Sequence, residues 1–375
     1  MIGIAHSRQL ASAIIFALIS LALAPSAGRA QQQATAINKG VVEIETAGSA
    51  GVSVRIAEDL AKLIDDGATR RVVPVVGKGS LQNLTDLRFL RGIDVAILQA
   101  DVLDYGKEQR LFAGIESSVT YIAKLYNEEF HLLARPEVKE VADLANQKVN
   151  IDLRDSGTAI TAKRLFDALK ISVSVTHDSQ DVALEKLRKG EIAALAFVTG
   201  KPTPFFTALN TEDGLHFVPI YFNEAAGANY VPTRLTASDY PGLVRRDKPI
   251  ETVAVGSVLA AADLRQGTER YRNVVSFIDA FFTGFPSLLG PGNHPKWQEV
   301  NLEAELPGWR RYAPAQQWLQ RNAQIATVQN PENLRTMFAR FVDERRQAAG
   351  GKPMSEQEKD ALFQQFQAWQ GGRAR

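Results

Sequence analysis

Short polar residues gather beside glycine at several points where a strand is expected to end and a helix to begin. Asp155-Ser156-Gly157-Thr158 comes after the run 149–152 and opens a helical pattern. Free backbone N–H groups at such a turn, aided by the helix dipole, favour an anion, and two hydroxyls add donors. Thr199 and Lys201 lie at the end of another buried run, where Lys201 could pair with an anionic ligand. Gly48, Ser49 and Ala50 form a third turn of this kind, and Ser80 with Asn83 a fourth. Gln99 ends the apolar run 93–98 and would share a rim with residues 79–83. The plainer reading is structural. Ser80 and Ser156 suit helix caps, and Lys201 suits a solvated surface.

Catalytic signatures are missing. Gly48-Ser49-Ala50-Gly51 has the wrong glycine spacing for a nucleophile elbow. Gly77-Lys78-Gly79-Ser80 lacks the upstream glycine of a P-loop. His131, His177, His216 and His294 are too scattered to form a ligand set. The chain has no cysteine, so thiolate metal sites, cysteine nucleophiles and disulfides are excluded. No catalytic residue, metal or cofactor is expected.

The elements that would position these turns alternate. Strands are expected at 41–45, 72–76 and 93–98, with helices between them. The first helix carries Ile56, Leu60, Leu63 and Ile64 on one face, with Ser49 or Ser53 as its cap. The second carries Leu81, Leu84, Leu87 and Leu90 after a Ser80 cap, and Gly92 stops it. This order predicts a parallel sheet with helices on its faces. Two strands, 121–125 and 130–134, then mark a passage to a second lobe. There, strands at 149–152, 173–176 and 192–198 alternate with helices, one of them capped by Asp181. A further strand is expected at 215–220 and a loop at 221–242. Residues 250–261 read as a long apolar strand returning to the first lobe, before an amphipathic helix at 270–282. Beyond 329, Ser355 and Glu358 form a capping-box pattern within a helical C-terminal extension.

Residues 1–30 of the 375-residue chain read as a cleaved secretory signal: Arg8, the apolar run 11–24, then Gly28-Arg29-Ala30. A retained anchor is the alternative, but the run is short for a span. The charge balance, 43 basic against 42 acidic residues, gives no footprint for nucleic acid.

The stretch Gly77 to Leu103, GKGSLQNLTDLRFLRGIDVAILQADVL, resembles the corresponding region of TAXI-family solute-binding proteins of TRAP transporters. The resemblance continues, in order, through FHLLAR, DSGTAITAKRLFDAL, GEIAALAFVTGKPTP and ETVAVGSVLA. The family's longer glycine-rich front turn is reduced here to Thr46-Ala47-Gly48-Ser49-Ala50-Gly51. The resemblance implies an α/β fold of the type II periplasmic-binding-protein kind, with two lobes and a cleft between them. It places lobe one at 31–126 and 250–328, lobe two at 127–249 and the extension at 329–375. It also implies a periplasmic, monomeric binding protein that closes on a small organic anion, a carboxylate or amino acid, and delivers it to a TRAP-type permease. The other readings are a dehydratase-like enzyme on the same fold, with Asp101 or Glu129 as acid or base, and a receptor for a signalling partner.

Overall fold

One mixed sheet runs through the computed structural model, which describes residues 40–210, 214–221, 229–322, 335, 338–339, 342, 354–355 and 357–364. Its main path runs β2 (Arg71–Val76), β1 (Val41–Thr46), β3 (Ile93–Gln99), β10 (Ile250–Ala262), β4 (Val119–Ala134), β7 (Ala194–Thr199), β5 (Lys148–Asn150) and β6 (Ser174–Thr176). The first three strands are β1 (Val41–Thr46), β2 (Arg71–Val76) and β3 (Ile93–Gln99). Helices α1 (Val52–Ile64) and α2 (Ser80–Phe89) connect them, so β1 pairs in parallel with β2 and β3. Pro74 is tolerated because β2 is an edge strand and needs one row of hydrogen bonds only. Helix α3 (Ala100–Glu108) follows β3 directly.

The second lobe repeats this construction. Strands β5 (Lys148–Asn150), β6 (Ser174–Thr176) and β7 (Ala194–Thr199) pair in parallel around α4 (Gly157–Leu169) and α5 (Gln180–Arg188). Every residue of β3 and of β7 is buried, which is why both read as near-continuous apolar runs.

Two long strands run through both lobes. β4 (Val119–Ala134) and β10 (Ile250–Ala262) are antiparallel. The front of β4 pairs with the back of β10, which also pairs with β3. The back of β4 pairs with β7, and the front of β10 with β9 (Tyr230–Leu235). The short β8 (His216–Phe217) joins β4. Helix α6 (Glu269–Leu288) returns over the first lobe, and α7 (Ala313–Arg321) packs with it through the Phe282–Trp318 edge contact.

Several expectations change. The two strands at 121–125 and 130–134 are one, because Asn127, Glu128 and Glu129 stay in register with Gly256, Val255 and Ala254. The expected loop at 221–242 contains β9, whose Pro232 is accommodated on an edge. The strand at 215–220 shrinks to the two residues of β8. Ser80 is the first residue of α2, after Gly79, and caps nothing. Leu84 and Leu87 are buried, whereas Leu90, just past the helix, is 50% exposed. Gly51, not Ser49 or Ser53, precedes α1, and Ser179, not Asp181, precedes α5. Gly92 and Gly190 have φ of 103° and 76°, as helix stops require. The signal segment and most of the C-terminal extension lie outside the described residues. The Ser355–Glu358 capping box is present: the Glu358 N–H donates to Ser355 Oγ, and the Ser355 N–H to Glu358 Oε2.

Candidate functional site

Loops at the carboxyl ends of the strands from both lobes meet around a cavity of about 120 Å³. The first lobe contributes Ala47–Ala50 after β1, Lys78–Ser80 after β2, and Gln99 at the end of β3. The second contributes Asp152, Ser156–Thr158 and Ser179–Asp181, with Phe197 and Val198 from β7. Glu128, midway along β4, lies between the two sets. Crevices at the carboxyl ends of strands are where open α/β sheets bind ligands.

The lobes touch across the cavity. The N–H groups of Leu81 and Gln82, in the first turn of α2, both donate to the Asp155 carbonyl at 3.1 Å. That carbonyl satisfies donors a helix start leaves unpaired. Gly79 permits the approach. Its φ is 132°, and a Cβ there would sit 2.8 Å from the Ser156 Cα. Gly157 lies against Gln99, whose Oε1 would be 1.7 Å from an added Cβ.

Gly48, Ser49, Ala50, Ser80, Gln99, Ser156, Gly157 and Thr158 line the cavity. Asn83, Thr199 and Lys201 are not among its lining residues. Asn83 is buried and donates through Nδ2 to the Ile97 carbonyl. Thr199 Oγ1 accepts from the Val52 N–H at 3.0 Å, tying β7 to the start of α1. Lys201 pairs with Asp239 at 3.1 Å.

The hydroxyls also have internal work. Ser80 Oγ accepts from the Gln99 N–H, and Thr158 Oγ1 from the Val198 N–H. Ser156 Oγ accepts from the Ala159 N–H as the cap of α4, and its hydroxyl also hydrogen-bonds Asp152.

Sequence reasoning missed Glu128 as a site residue. It is 7% exposed; its Oε2 accepts from Gln99 Nε2 at 2.7 Å and its Oε1 from the Tyr126 hydroxyl at 3.2 Å. Burial pushes its carboxyl up to about 7, against the pull of those hydrogen bonds. The available signal was an adjacent pair of acids, Glu128 and Glu129, between two runs that each read as a strand. Asp152 was missed as well. It has φ of 66°, a conformation uncommon outside glycine, and burial raises its carboxyl to about 6.

Asp101 and Glu129, the acids considered for an enzyme, do not line the cavity. Asp101 is fully buried and accepts from the hydroxyls of Thr161 and Tyr230. Glu129 forms a buried ion pair with Lys296 at 2.7 Å. His131 is locked in an aromatic cluster with Phe206, Phe217 and Tyr240, where burial drops its pKa to about 3. Among the described residues, no acidic and histidine side chains are grouped to hold a metal ion, and no helix is long and apolar enough to cross a membrane.

A model of the NMT1-like family matches residues 44–269. A solved periplasmic transporter aligns over 77% of this chain and 97% of its own, at 11% identity and a TM-score of 0.47. Periplasmic binding protein BugD aligns over 77% and 96%, at 13% identity and 0.44. MatC from Rhodopseudomonas palustris, solved with bound malate, aligns over 76% and 99%, at 16% identity and 0.42.

Proposed function

The chain belongs to the NMT1-like family, and on that premise we propose that it is a solute-binding protein of the TAXI kind, with the type II fold. In this reading it is exported to the periplasm by the signal at 1–30. It takes a small polar solute between its lobes and passes it to a TRAP-type permease. The observation that carries the reading is the meeting of both lobes around one small cavity, with N–H groups of α2 donating to the facing Asp155 carbonyl.

The hinge of this proposal is the crossing of β4 and β10. Their register breaks between Gly256 and Val258 and again between Leu259 and Ala260, which gives the crossing places to bend. The first lobe is then 31–126 with 250–328, and the second 127–249. A solute that contacts both lobes only when they are together shifts the open–closed equilibrium by its differential affinity. Gly48, Ser49, Ala50, Ser80, Gln99, Ser156, Gly157 and Thr158 are the proposed contacts from the sequence, with Glu128 added by the structure.

Small-angle scattering of the mature protein with mixed metabolites, read beside native mass spectrometry, tests the reading. A retained, unaltered solute and a smaller radius of gyration are expected. A chemically converted product would point to an enzyme instead. No retained solute and an unchanged radius would sink the binding role. Intact mass of the periplasmic protein should place its first residue at or near Gln31.

A further inference from the structure

The floor of the cavity offers acceptors. Gln99 is 3% exposed; its Nε2 is spent on Glu128, and its Oε1 has no donor among the described residues. The Tyr126 hydroxyl is also spent on Glu128. The Gln99 oxygen lies covered against Gly157 of the facing lobe, so a solute entering between parted lobes would meet an unpartnered amide oxygen beside a buried carboxyl group. The other ionisable lining residues are Asp152 and Asp181, which are acidic, and Lys78, which is exposed at the rim. A carboxylate seated on this floor would bring lone pairs against lone pairs. A nitrogen cation would instead complete the Gln99 oxygen and give Glu128 the positive partner it lacks.

We propose that Glu128 and Gln99 form a subsite for a cationic nitrogen, so that the solute carries a primary ammonium or an amidinium group and is not a simple dicarboxylate. This rests on the reading of the cavity as the binding site. Atom for atom, an ammonium donates to Gln99 Oε1 and to a Glu128 oxygen while keeping a further N–H for the rim hydroxyls. Acceptance of the cation requires Glu128 ionised, which makes the sign of the pH dependence diagnostic. The groups around Glu128 are Gln99 from β3, Tyr126 on β4, Ser257 on β10 and Asp101 from α3, with Asp152 across the cavity; Glu129 points to the other face of the sheet. None of the neighbours that act on its carboxyl is a cation: Asp101 raises it further, and Gln99, Tyr126 and Ser257 are neutral.

Titration calorimetry with 1,4-diaminobutane and succinate, equal in carbon count and opposite in charge, tests the proposal on the mature protein. The diamine should bind at about pH 8, with affinity falling roughly tenfold by about pH 6 as Glu128 takes up a proton. Glu128→Gln should lose about tenfold or more of that affinity and flatten the pH profile, with an unlowered ligand-free melting temperature. Tighter binding of succinate, affinity that rises as pH falls, or binding of neither probe overturns the cationic floor. The broader reading is tested separately. If metabolite mixtures still yield a retained solute and compaction, and Glu128→Gln leaves both unchanged, only the subsite falls. If no solute is retained at all, the binding role falls with it.

Discussion

Glu128 and Glu129 are consecutive residues of one strand, both buried, and they do opposite things. Alternation along β4 turns their side chains to opposite faces of the sheet. Glu129 meets a cation: Lys296, itself 2% exposed, donates to it at 2.7 Å, and the Lys201 N–H supplies a further hydrogen bond. Lys296 stays above its usual pKa despite burial because Glu129 and Glu299 flank it, while burial keeps the Glu129 carboxyl above its ordinary range. Glu128 meets an amide and a phenol. One acid is a closed structural pair at the lobe crossing, and the other is left for something else to complete. Residue type and burial are the same in both; the partner supplied by a distant element decides the role.

The largest effect is expected at the closed pair. Lys296→Met leaves Glu129 buried without its cation and should cost about 3–5 kcal/mol in urea denaturation. A cost under about 1 kcal/mol would show that the pair is not what holds the crossing together.

The open acid should respond with the opposite sign. The folded carboxyl of Glu128 is raised from 4.5 to about 7, so the fold favours its neutral form. Its contribution is intact below the ordinary carboxylate range and is lost as pH rises through about 7. At about pH 8 the parent carries the whole penalty, and Glu128→Gln should be more stable by up to roughly 3 kcal/mol. Glu45, pushed to about 8 by burial and then by Asp86, predicts the same direction for Glu45→Gln. A melting temperature for Glu128→Gln that falls at about pH 8 would erase the contrast between the neighbours.

The contact that brings the lobes together can be attacked with a single methyl group. Gly79→Ala combines a φ of 132° with a Cβ 2.8 Å from the Ser156 Cα. It should cost about 1–3 kcal/mol and enlarge the radius of gyration in scattering, because separation relieves the clash. A stability loss without enlargement would assign the effect to backbone strain alone. The smallest change is expected from Ser156→Ala. The hydroxyl serves Ala159 and Asp152 within the protein, so melting should report a loss of about 1 kcal/mol. As a proposed solute contact, Ser156 should also lose about tenfold in solute affinity on this change; a shift of no more than roughly threefold would leave it a helix cap alone.

Alternating strands and helices, the glycine stops at Gly92 and Gly190, and the turns that gather at the rim were legible in the sequence. They depend on neighbours a few residues away, through apolar periodicity and through φ values that glycine adopts at no cost. The fate of individual polar side chains was not legible. Thr199 looked like a ligand contact until the Val52 N–H, 147 residues away, claimed its hydroxyl. Asn83 and Lys201 were taken up in the same way by Ile97 and Asp239. Glu128 hid in what read as a break between two strands. Only the register of β4 against β10 carried the strand through that point, and only the convergence of Gln99 and Tyr126 set Glu128 at the floor of the cavity. Local pattern determines which elements form and where they stop. Which hydrogen-bonding groups remain free to meet a solute is decided by partners distant along the chain, because a buried polar atom takes whatever partner the packed fold brings to it.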